Sequence, residues 1–154
     1  MNKFQVIKSL LMNAPVSLTM TVVAEIMNIV LGHSQHINPG SMALKFVVSF
    51  AFAFLIACFI PTEKWGFSFA KHCGAKEGSL KFDILVNLVV NTVFCVLMTL
   101  FMSWFSACIM EGLPIKVVPG SFMEMIIPVW ICCFFVSFLT QKRAIRLAKN
   151  ICRE

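Results

Sequence analysis

Four stretches of this chain each run for some twenty residues or more with almost no charge, and nothing else constrains its fold as much. They cover about 10–32, 42–61, 83–110 and 121–140. A helix needs about 20 mostly apolar residues to cross the hydrocarbon of a bilayer. Inside lipid the backbone must satisfy its own hydrogen bonds, so each stretch is expected to be helical. The surplus of apolar side chains has nowhere else to go. Of the 154 residues 59% are hydrophobic, against about 45–50% in a soluble domain. The expectation is an all-α fold: an integral membrane four-helix bundle, with residues 1–154 forming a single membrane domain. The N-terminus begins like a signal peptide, MNKFQVIKSLL. Its apolar run continues to about residue 31 without a small-x-small cleavage site, so a retained first helix is expected.

The charges predict an orientation. Of the 13 Lys and Arg, 11 fall in the N-terminal segment (Lys3, Lys8), in the stretch of about 63–82 (Lys64, Lys71, Lys76, Lys81) or in the tail of about 142–154 (Lys142, Arg143, Arg146, Lys149, Arg153). Cationic residues stay on the cytoplasmic side. Both termini and a central loop should therefore be cytoplasmic in a multi-pass protein of the cell membrane. The short loops 33–41 and 111–120 should face outward. The same asymmetry accounts for the net charge of +6 without any nucleic-acid partner. In the tail, Ala144, Ile145, Ala148 and Ile151 alternate with cations. That suits either an amphipathic stretch on an anionic leaflet or a simple stop-transfer cluster. Trp65, Phe67 and Phe69 are expected at the same inner interface.

The two halves look like copies. Aligning Asn13 with Asn87 brings Ser17 to Asn91, Thr21 to Cys95 and Glu25 to Thr99. In the partner helices PGSM at 39–42 meets PGSF at 119–122, and Phe54 meets Phe134. Pro39-Gly40 and Pro119-Gly120 are expected to break the chain just before the second and fourth helices. Each unit holds two helices, so both copies would insert the same way. That makes a parallel pair of hairpin repeats, about 10–62 and 83–141, around an axis near the membrane normal.

Polar groups punctuate two of the four helices at helical spacing. Asn13, Ser17, Thr21, Glu25 and Asn28 line one face of the first. Asn87, Asn91, Cys95, Thr99, Ser103 and Ser106 line one face of the third. Lipid penalises such groups, so both faces should turn inward and meet along the centre. Two uses are open to them. Asn, Ser and Thr join membrane helices at about 0.6–2 kcal/mol per bond. They can also line a polar path or a binding cleft. Pro15 removes one backbone hydrogen bond near the inner end of the first helix and can bend it.

Glu25 is the most demanding residue, since a carboxylate at that depth costs a few kcal/mol unless paired or protonated. Lys45 and Glu124 sit at a similar level. Glu25 could pair with Lys45. Otherwise Glu25 and Glu124, with Asn28 beside them, would form an outward-facing acidic site for a proton or a cation. His33 and His36 make an HxxH in the outer loop without a neighbouring acidic or thiol ligand, so no metal is expected there. The seven Cys include no CxxC, and five fall inside apolar runs, so neither a disulfide framework nor a zinc site is expected. No GxSxG, HExxH or phosphate-binding Gly loop occurs. The chain is not expected to be an enzyme or to hold a cofactor.

The first hairpin has an N-x3-S-x3-T stripe, a Pro-Gly turn and an apolar second helix closed by Pro61. In these features it resembles an uncharacterised bacterial family of short two-helix membrane proteins, known only as a domain of unknown function. The resemblance covers most of 10–62 and, more faintly, 84–141. It implies a bacterial inner-membrane protein and assigns no chemistry. Two such units in tandem, with a carboxylate in the first helix, also resemble the proteobacterial antimicrobial compound efflux family. That family couples proton influx to drug export, and Glu25 would stand for its carboxylate. Here the carboxylate lies toward the outer end of its helix, and that family's basic and aromatic motif is missing.

Together these features lead to a small transporter or channel-like protein, working alone or as a homodimer in the lipid bilayer. Asn13, Ser17, Asn87 and Asn91 would line the inner half of its seam, and Thr21 and Thr99 would continue it outward. A non-transporting scaffold or accessory subunit of a larger membrane complex is the alternative. Transport requires a hydrated seam. A scaffold requires a dry one.

Overall fold

In the computed structural model, which describes residues 3–32 and 39–151, the chain is almost entirely helical. The helices are α1 (Lys3–Val30), α2 (Pro39–Phe59), α3 (Thr62–His72), α4 (Leu80–Trp104) and α5 (Val118–Ile151). A π-helical segment, Phe105–Met110, extends α4, and a 3-10 turn, Ile115–Val117, leads into α5. Four of these stretches are long and apolar enough to cross a membrane: Ser9–Val30, Pro39–Phe59, Leu80–Met110 and Ile115–Ala148. They match the four apolar runs of the sequence.

The ends of the helices follow from local chemistry. Pro39 opens α2 and Pro119 lies in the first turn of α5. The expected breaks at these prolines are thus helix starts, because a first-turn proline lacks only an N–H that would have no partner anyway. Ser79 caps α4, its Oγ accepting from the Phe82 N–H at 3.2 Å. Gly32 and Gly112, both at positive φ, follow α1 and the π-helical segment, where only glycine turns without strain. Pro15 lies within α1, and the helix continues through it.

Neighbouring long helices run antiparallel. α1 packs on α2 and, most extensively, on α5; α4 packs on α5 and on α2. This puts α1 and α4 at opposite corners of the bundle rather than side by side. Their polar faces both turn inward as expected, but across the core. Met20, Ala53, Ile56, Cys95, Met98, Val129 and Cys133 form that core, with residues from all four helices. Phe52 and Phe101 stack between α2 and α4 with ring centroids 3.8 Å apart.

Two expectations are corrected. The stretch 63–82 is not simply a loop, for α3 occupies its first half. Thr62, Gly66 and Ala70 recur every fourth residue and make a flat buried face that lies on the start of α4. The tail is not a separate surface segment either, because α5 runs unbroken to Ile151. Ala144 and Ala148, expected among the leaflet-facing residues, are buried in the protein, while Leu147 and Ile151 are exposed.

The outer surface is apolar where the helices are long. Phe59 is 81% exposed, Val30 71% and Leu139 69%. Soluble monomers rarely present contiguous apolar surface on this scale. The four long helices and this surface fit a multi-pass membrane protein.

Candidate functional site

Between the basic end of the bundle and its middle, the asparagine side chains are engaged in hydrogen bonds between helices. Asn13 of α1 donates from Nδ2 to the Ala53 carbonyl of α2 at 3.4 Å. Asn87 and Asn91 of α4 donate to the carbonyls of Phe134 and Trp130 on α5, at 3.3 and 3.2 Å. Asn87 also accepts from the Ser137 hydroxyl at 2.9 Å. Cys133 of α5 directs its thiol at the Val16 carbonyl of α1, 3.9 Å away. These bonds join adjacent helices rather than reaching across the centre between α1 and α4. Carbonyls that bond an asparagine are already satisfied within their helix by one lone pair, and the second accepts the amide.

Glu25 and Lys45 form a closed pair. The Lys45 Nζ donates to Glu25 Oε1 at 2.6 Å, and both residues are over 90% buried. The antiparallel packing of α1 and α2 creates it, bringing a carboxylate near the end of one helix beside an ammonium near the start of the next. Of the two arrangements open to Glu25 in the sequence, the structure adopts this pair. Glu124 is exposed.

Beyond the pair, toward the end where α1 finishes and α5 begins, the bundle opens into a cavity of about 90 Å³. Its polar wall takes Thr21 and Asn28 from α1, Lys45 from α2, and Thr99, Ser103 and Ser106 from α4 and the π-helical segment. Ser121 and Glu124 of α5 and Glu111 of the connecting loop complete its rim. Met20, Met102, Met125 and Val129 supply apolar surface. Glu25 itself does not line the cavity; Lys45 stands between.

Three buried hydroxyls, those of Ser17, Thr99 and Ser103, have no hydrogen-bond partner among the described residues. Thr99 and Ser103 are 2% and 4% exposed, and both line the cavity. A buried hydroxyl without a partner costs about 1–3 kcal/mol, so two of them on one cavity wall set that wall apart. Ser17 sits deeper, beside the asparagine layer. Thr21 bonds the Ser17 carbonyl of its own helix at 2.9 Å.

The residues singled out in the sequence thus divide in two. Asn13, Asn87 and Asn91 hold helices together. Thr21, Asn28, Lys45, Thr99 and Glu124 come together at the cavity, and Glu25 supports it through Lys45. His33 and His36 lie outside the described residues. Among the described residues no group of three or more His, Cys, Asp or Glu is placed to hold a metal ion. Sequence reasoning missed Glu111, Ser121 and the methionines. Glu111 enters through the π-helical segment, where its N–H bonds the Ser106 carbonyl five residues back, a spacing to which a 3.6-residue period is blind.

The chain matches no protein-family model, no curated protein and no solved structure.

Proposed function

We propose that this chain is a small membrane transporter whose solute cavity opens toward the outer side while its inner half is closed. The observation that carries this is the pair of unpartnered hydroxyls, Thr99 and Ser103, on the wall of an open cavity. A solute or water that bonds them would offset their desolvation. The asparagine layer supports the same reading, since it seals the half below. In this scheme Glu25 is the proton or cation site. A proton on Glu25 would release Lys45, whose ammonium reaches the cavity. The basic end would be cytoplasmic, as the distribution of Lys and Arg argues.

We also read the chain as two hairpin units in tandem, as the family resemblance implies. The aligned Asn13 and Asn87 support this, each donating to a carbonyl of the helix that follows, at Ala53 and Phe134. The alignment pairs Phe54 with Phe134, so the two acceptors differ by a single position.

The scaffold alternative draws on the Glu25–Lys45 pair, which could serve packing alone. Reconstituted vesicles separate the two. A water-soluble thiol reagent added from the outer side should modify a Ser103→Cys variant above the background of the parent chain. During turnover, an Asn91→Cys variant should become reactive from the inner side. A scaffold gives neither signal. If proton or cation flux by reconstituted protein is unchanged in Glu25→Gln, Glu25 is not the carrier.

A further inference from the structure

The cavity leaves one need unmet in its depth, and it is not a need for charge. Its only cationic lining side chain among the described residues is Lys45, whose charge is matched by Glu25 at 2.6 Å. The carboxylates of Glu111 and Glu124 stand exposed at the rim, where solvent hydrates them. Glu111 accepts from the Ser106 hydroxyl at 3.5 Å, and Glu124 is engaged within the protein. Lys116, on the adjoining 3-10 turn, is exposed and outside the lining. The groups left over are neutral. Thr99 and Ser103 are almost fully buried, and their hydroxyls bond nothing among the described residues. Four residues apart on α4, they stand one turn above the other on one wall, about 6 Å apart along the axis. Met20, Met102, Met125 and Val129 give the same cavity an apolar, adaptable surface. The volume of about 90 Å³ exceeds the 10–15 Å³ that one water requires by several fold.

Resting on the transporter reading above, we infer that the cavity takes a small uncharged solute with a hydroxyl end and a short apolar body, the class of the short-chain alcohols. A solute hydroxyl has one donor and two acceptor positions, the same complement as each wall hydroxyl. It donates to one of Thr99 and Ser103 and accepts from the other, while its alkyl part lies against the methionines. Two buried groups that otherwise bond nothing are then satisfied. Charge excludes the nearest analogues: an ammonium or a carboxylate of the same shape loses its water at a depth where no opposite charge is free. A hydrocarbon of that shape leaves both hydroxyls unbonded.

The test uses the full-length protein in lipid nanodiscs with Ser121→Cys as a reporter on the cavity lining. Its modification by a water-soluble thiol reagent is read at that residue by mass spectrometry, with 1-propanol, propylammonium or propionate present. Rates are taken relative to Lys116→Cys, an exposed site outside the lining. Propanol should slow modification, and the two ions should not. Thr99→Val and Ser103→Ala break no bond within the protein, so both variants keep the fold. Each should weaken the protection about fivefold, as loss of one neutral hydrogen bond predicts. Equal or stronger protection by either ion overturns the assignment, and so does protection that either substitution leaves unchanged. A reporter that reacts readily but is not protected by propanol also overturns it, while leaving the open cavity of the transporter reading standing. A reporter that never reacts shows the cavity shut, and both readings then fall.

Discussion

At the scale of single residues, the Glu25–Lys45 pair and the two cavity hydroxyls make opposite predictions about stability. Removing one partner of a buried ion pair strands the other charge, which costs about 3–5 kcal/mol. Lys45→Met should therefore lower the unfolding midpoint sharply in detergent, while the double variant Glu25→Gln/Lys45→Met should recover most of the loss. A single variant as stable as the parent would mean that water reaches the pair. Thr99→Val removes a hydroxyl that bonds nothing in the protein and keeps the shape of the side chain. It should leave stability unchanged or raise it by about 1 kcal/mol, and a marked loss in the same unfolding assay would contradict the assignment. Asn91→Leu should instead cost about 0.6–2 kcal/mol, since its bond joins α4 to α5. The polar stripes themselves were plain in the sequence. Which members bond a neighbouring helix and which line a cavity was not, because spacing fixes a face and leaves the partner open.

At the scale of elements, α3 shows what small residues do. A Cβ added at Gly66 would stand 3.0 Å from the Val86 carbonyl oxygen, so α3 lies directly on the backbone of α4. Phe67 and Phe82 stack beside that contact, their centroids 5.6 Å apart. Gly66→Val should push the helices apart, at a cost of about 1–3 kcal/mol. Limited proteolysis within 73–79 should then cut faster than in the parent; an unchanged rate would show that α3 does not need this contact. The sequence hid this element because aromatic residues and lysines dominate its composition. Its buried side is only Thr62, Gly66 and Ala70, which no hydrophobic pattern marks. The π-helical segment was hidden for a different reason. Its extra residue per turn shifts Ser106 and Glu111 relative to the α-helical face, and that shift sets the cavity rim.

At the scale of the whole molecule, the arrangement of charges predicts the topology. Cys73 is exposed after α3 at the basic end, and Lys116 lies at the cavity end. In intact cells an impermeant thiol reagent should label Lys116→Cys and should reach Cys73 only after permeabilisation. The reverse pattern would invert the topology, and the cavity would then open to the cytoplasm. The bundle also shows how the two polar faces share one interior. With α1 and α4 at opposite corners, each bonds its own neighbours in one half of the bundle and faces a common space in the other.

The sequence by itself determined the number of long helices, their approximate limits, the inward polar faces and the separation of charge between the two ends. These follow from length, apolar content and helical period, which are local properties. Only the tertiary structure decided that Glu25 pairs with Lys45, that the asparagines bond carbonyls of neighbouring helices, and that Thr99 and Ser103 are left without partners on a cavity wall. Those outcomes depend on the antiparallel register between helices far apart in the chain. Register is set by how whole faces fit together, and no single helix carries that information.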